Sequence, residues 1–152
     1  ETKLPIQILR LPGIYGPKRS VFESILNGTT KMIDKPGQVF SRIHVDDIAG
    51  AVLFLINLYS QGQNPSVVNI ADDLPTNNLE VIDFAAKLAK KSLPSKVPFE
   101  IAKKTMSPMA LSFWQENRKV DNNFLCKKLG YSLIYPDFKS GLKNCFSKLD
   151  LN

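Results

Sequence analysis

The chain has 152 residues, 43% of them hydrophobic and 22% charged, with a net charge of +6 and an isoelectric point of about 9.3. That length supports one ordinary hydrophobic core, the composition excludes a disordered or fibrous chain, and no apolar run is long enough to span a bilayer. The positive charge lies in scattered pairs such as Lys90-Lys91, Lys103-Lys104 and Lys127-Lys128, with no basic stripe interleaved with aromatics, so neither nucleic acid nor a membrane is an expected partner.

Pro5 to Leu11 is β-rich and nearly continuous in apolar residues, as a strand covered on both faces of a parallel sheet should be. Pro12 and Gly13 end it, and Gly13-Ile14-Tyr15-Gly16 reads as a turn. Ser20 is placed to cap a short helix reaching Asn27, with Gly28 just beyond its end. A turn at Lys35-Pro36-Gly37 precedes a short strand from Val39 to Val45. Asp46 and Asp47 then open a helix by accepting from its free N–H groups, and from Ile48 to Leu58 that helix is apolar nearly all round, which predicts burial on several sides.

Ser66 to Ile70 is a second parallel-type strand, and Asn77 with Glu80 has the form of a capping box before a helix with Leu79, Ile82, Ala85, Ala86 and Ala89 on one face. Ser92 to Pro98 reads as a linker, and Pro108 to Asn117 as a helix. Asp121 caps a helix stopped by Gly130, and a last helix from about Asp137 carries Phe138, Leu142, Cys145, Phe146 and Leu149 on one stripe. Cys126 and Cys145 lack metal-ligand spacing and the single histidine, His44, gives them no evident partner, so both read as buried free thiols. No secretory pattern opens the chain, and the expected location is the cytoplasm. Two parallel strands alone make no stable sheet, so the local signals are those of an α/β protein with too few strands to complete it.

Four motifs occur in a fixed order: Leu9-Arg10 with Tyr15-Gly16-Pro17, then Ile43 to Ala49, then Val68-Asn69-Ile70-Ala71, then Leu129-Gly130-Tyr131 before Pro136 and Gly141-Leu142. In that order they resemble the extended short-chain dehydrogenase/reductases, in the nucleotide-sugar epimerase and dehydratase branch. The resemblance implies the C-terminal strands of a Rossmann-type parallel sheet plus a mostly helical substrate-binding lobe. It also implies one domain over residues 1–152, the C-terminal part of an NAD(P)-dependent protein whose dinucleotide-binding half is absent.

The family's Gly-rich phosphate loop and its Tyr-x-x-x-Lys pair are not found. Gly13-Ile14-Tyr15-Gly16 lacks a third glycine, and Pro136 keeps Tyr135 and Lys139 off one helical face. NAD or NADP is therefore implied for the full-length protein and none for this fragment alone, for which no catalytic residue is assigned. The resemblance places Leu11 and Pro12 beside the nicotinamide. It places Gly13 and Phe40 where sugar-nucleotide enzymes commonly carry a substrate-touching asparagine and a diphosphate-binding arginine. Arg42, on the same strand face as Phe40, and Arg19 are the candidate replacements.

For His44 the resemblance implies a structural role in the turn at Ile43 to Asp47, and for Asp47 helix capping. Trp114 reads as core. The implied partners are a small-molecule substrate, a nucleotide sugar in the family's usual members, and either the missing half or a second copy covering the open sheet edge. The competing reading is a freestanding, non-catalytic binding or regulatory domain derived from the same lobe.

Overall fold

The computed structural model describes residues 6–149, so Pro5 lies outside them. The first strand is β1 (Ile8–Arg10), and it pairs in parallel with β5 (Val67–Asn69), Leu9 opposite Val68. Between them run β2 (Gly13–Tyr15), α1 (Val21–Leu26), β3 (Ile33–Asp34), β4 (Arg42–His44) and α2 (Val45–Ser60). The expected turn at Gly13 is instead a second strand: β2 continues past Pro12 and pairs in parallel with β4, Tyr15 opposite His44. The missing N–H at Pro12 breaks the ladder but not the extended path.

After β5 come α3 (Asn78–Ala89), β6 (Val97–Pro98), α4 (Phe99–Ala102), α5 (Pro108–Gln115) and α6 (Phe138–Ser147). β3 and β6, neither expected, form a third parallel pair. The helix expected after Asp121 is a π-type turn, Phe124–Lys128.

Two cores result. Phe22 and Ile25 of α1, Val81, Ile82, Ala85 and Ala86 of α3, and Phe138, Leu142 and Cys145 of α6 make a helical core around Tyr15. Ile43 of β4, Val68 of β5 and Ile70 just beyond it close a second against Ala51, Leu55 and Leu58 of α2 and Leu125. α2 is not covered on several sides as its composition predicts: Leu53 and Ile56 are 64% and 57% exposed, and Ile8 at the free edge of β1 is 53% exposed.

Gly141 on α6 is required by a close approach, since a Cβ there would stand 2.0 Å from the Tyr15 hydroxyl and 2.7 Å from its ring carbon. Gly141→Ala is expected to cost about 1–3 kcal/mol by overpacking. Urea unfolding checks this; an unchanged midpoint would mean that Tyr15 and α6 separate freely.

Candidate functional site

β2 leads into a tight turn in which Gly16 and Arg19 exchange two backbone hydrogen bonds of 3.0 Å. Gly16 admits the turn because a Cβ would meet the Val45 side chain at 2.2 Å. Lys18, at the corner after Pro17, has φ of 62°. A left-handed corner after proline is the form of a type II turn, where glycine is usual, so the lysine is held at some conformational cost. Ser20 then caps α1: its hydroxyl accepts from the Phe22 N–H at 3.3 Å, and the Glu23 carboxylate accepts from the Ser20 N–H at 2.6 Å.

Arg42 reaches the same region from β4 and is rigidly held. Its Nη1 donates to the carbonyls of Phe40 (2.9 Å) and Thr76 (3.0 Å), and its Nη2 to Asn78 Oδ1 (3.2 Å). Burial lowers its pKa, while Asp72 nearby acts the other way. These elements wall a cleft of about 510 Å³, to which Ile14, Tyr15, Lys18, Arg19, Arg42 and Asn78 contribute.

Asp72 lies behind Arg42 and is 2% exposed. Its N–H donates to the Arg42 carbonyl at 2.8 Å and its Oδ1 accepts from the Leu74 N–H at 3.3 Å, but Oδ2 has no partner among the described residues. Burial pushes its carboxyl up to about 7, against the lowering by the Leu74 bond and Arg42. The buried Tyr15 hydroxyl also lacks a partner, and burial, with Asp72 second, pushes its pKa up.

His44 is structural, but through an unexpected contact. Its Nδ1 accepts from the Asp46 N–H at 3.2 Å, making His44 itself the cap of α2. The ring proton therefore sits on Nε2, 3.8 Å from Cys145 Sγ, so this thiol does have the histidine as its neighbour. Tyr135 at 4.2 Å and Tyr15 at 5.2 Å between ring centres close the site, and burial lowers the His44 pKa. Burial also pushes the Cys145 thiol up to about 11, which keeps it an inert core residue.

Asp47 does not cap α2. Its carboxylate crosses to the C-terminal segment, where Oδ1 accepts from the Ile134 N–H at 2.7 Å and Oδ2 from the Tyr135 N–H at 2.9 Å.

Of the sequence candidates, Arg19 and Arg42 share the cleft, and Gly13, Phe40, Leu11 and Pro12 stand outside its walls. Gly13 lies opposite Arg42 in the β2–β4 register. Leu11 and Pro12 sit at the C-terminal end of β1, Leu11 39% exposed. Phe40 turns toward Trp114, 5.2 Å away, which in turn stacks on Phe99, with the Arg42 guanidinium 6.0 Å over the Phe40 ring. Trp114 is thus half-buried in an aromatic cluster rather than deep core. Lys18, Asn78 and Asp72 escaped the sequence reading, because only folding brings them beside Arg42. Among the described residues no cluster of metal-ligating side chains occurs, and no helix is long and apolar enough to cross a membrane.

No family model and no curated protein matches the sequence. Solved structures do. A functionally unknown conserved protein from Silicibacter pomeroyi DSS is 40% identical, with a TM-score of 0.84 over 96% of this chain and 50% of that one. The human epimerase family protein SDR39U1, solved with NADPH, is 18% identical, with a TM-score of 0.73 over 93% of this chain and 48% of its own. A UDP-glucuronic acid 4-epimerase from Bacillus cereus, solved with UDP-glucuronic acid and NAD, is 19% identical, with a TM-score of 0.68 over 95% and 45%. The chain thus spans about half the length of the structures it matches. With its short parallel strand pairs and helical lobe, it has the α/β fold of the C-terminal part of the extended short-chain dehydrogenase/reductases of the NAD-dependent epimerase and dehydratase type.

Proposed function

We propose that the chain is the substrate-binding portion of an NAD(P)-dependent epimerase/dehydratase-like oxidoreductase, inactive without a dinucleotide-binding half. The observation that carries this reading is the fold match to proteins of that type over nearly all of this chain and about half of theirs. Leu11 and Pro12 would form one apolar wall for a nicotinamide, since they stand at the carboxyl end of β1, where open α/β sheets receive ligands. That fit is limited to the ring: among the described residues no glycine-rich loop offers N–H groups to a pyrophosphate. When bound, the dinucleotide would supply hydride acceptance and return.

The substrate is a small molecule gripped by Arg19 and Arg42, whose cleft leaves Gly13 and Phe40 outside its walls. Gly13 carries no polar side chain and Phe40 no charge, so any binding of a nucleotide-sugar diphosphate falls to those two arginines. The exposed Ile8, Leu53 and Ile56 are apolar positions that a dinucleotide-binding half would cover.

Calorimetry with NAD and NADPH tests the reading, first on this chain and then on the chain joined to a dinucleotide-binding half. No binding by the chain and micromolar binding by the joined protein is the expected result. Tight binding by the chain alone, or none by the joined protein, would overturn it.

A further inference from the structure

The cleft beside Arg42 has an uneven chemistry. At its mouth and floor stand Lys18, Arg19 and Arg42, none in an ion pair among the described residues. The one carboxylate in its wall, Glu23, is occupied by the Ser20 N–H at 2.6 Å and the Ser20 hydroxyl at 3.0 Å. The remainder of the wall is largely aliphatic, from Ile14, Val21, Val81 and Leu142. Three cations without a counter-ion beside an aliphatic wall suit an oxyanion that carries an apolar body.

The arginine is also pre-organised. Its three bonds to Phe40, Thr76 and Asn78 fix the guanidinium before any ligand arrives, so little side-chain entropy remains to be lost. Lys18 keeps a left-handed backbone where glycine would be at ease, which holds a cation at the mouth.

We propose that this cleft binds an amphipathic oxyanion, a small molecule with an aliphatic body along Ile14, Val21, Val81 and Leu142 and a phosphate or carboxylate head between Lys18, Arg19 and Arg42. The lining offers no pair of aromatic faces to sandwich a nucleobase, since Phe138 and Tyr15 are both core residues, 2% and 8% exposed. The proposal rests on the reading of Arg19 and Arg42 as ligand residues of a substrate lobe, and narrows the class of ligand they receive.

Octyl phosphate and octanoate are the probes, titrated into the isotope-labelled chain and followed by amide NMR shifts. Both are expected to move the signals of Ile14 to Val21 and Asn78 to Val81, the tighter of the two identifying the head group. The Lys18→Gly, Arg19→Ala double variant should weaken binding roughly tenfold, with a urea midpoint unchanged or raised because glycine suits the left-handed corner.

No shifts at millimolar probe would overturn the proposal, as would binding indifferent to the double variant. Inorganic phosphate binding as tightly as octyl phosphate would overturn the aliphatic half. The outcome is separable from the dinucleotide titration, because every group of this cleft lies within the described residues.

Discussion

Asp47→Ala is expected to lower the unfolding free energy by about 3 kcal/mol. The carboxylate is fully buried and holds two backbone N–H groups 87 and 88 residues away, at 2.7 and 2.9 Å. Hydrogen bonds to a charged acceptor are worth about 1.5–3 kcal/mol each, discounted here because the receiving segment is partly open to water. The Tyr131 hydroxyl, 3.4 Å from Oδ1, adds a weak third contact. Asp47→Asn retains one acceptor and should lose about half as much. Urea unfolding measures both, and hydrogen exchange should show early release of Ile134 and Tyr135 in the alanine variant. A loss below about 1 kcal/mol would mean that the carboxylate does not fasten the C-terminal segment to α2.

The second large effect concerns pH. Burial raises the Asp72 carboxyl from 3.8 to about 7 in the folded protein. Between those values the folded state binds the proton that the unfolded state has lost. The contribution of Asp72 is therefore fully present below pH 3.8 and lost as the pH rises through about 7.

Every tenfold difference in proton affinity between the folded and unfolded states is worth about 1.4 kcal/mol, so the whole change is on the order of 4 kcal/mol. His44 acts in the opposite sense: its pKa is lowered from 6.5 by burial, so its contribution is present above that value and lost as the pH falls. Comparing wild type with Asp72→Asn cancels the histidine. From pH 5 to pH 8 the wild type should lose stability relative to Asp72→Asn by roughly 2.5 kcal/mol, the part of the whole change that falls in this window, read from urea midpoints. Parallel curves would show that Asp72 titrates normally and that Oδ2 finds a partner in solution.

Much of this architecture is local and was legible residue by residue. Ser20, Asn77 and Asp137 each cap the helix that follows. These signals are readable because a cap needs only a side-chain oxygen two or three residues from the N–H it serves. The β1–β5 pairing followed from two short apolar runs with a long helix between them. Pro136 kept Tyr135 outside α6, as its steric bulk requires.

The failures share one cause. Asp47 has the form of a helix-start carboxylate in sequence, yet its partners lie 87 and 88 residues on, and His44 takes the cap because its imidazole reaches the Asp46 N–H first. α2 is apolar nearly all round, which signals burial, but Leu53 and Ile56 remain open, because apolarity says that a face wants cover and not whether it has it. Gly13 to Tyr15 carries turn residues and is a strand, since β4 supplies the parallel ladder that local composition cannot announce.

For the cleft, the resemblance of four motifs supplied both the fold class and, as replacements for an arginine expected at Phe40, the candidates Arg19 and Arg42. The tertiary structure decided that those arginines face one space with Lys18, that Phe40 faces Trp114 instead, and that Asp72 is sealed away from water. Capping, turn chemistry and periodicity act over a few residues and are written in neighbouring letters. Burial, and with it every unmet hydroxyl and raised carboxyl of this site, depends on which distant segments exclude water, and that exists only once the chain has closed on itself.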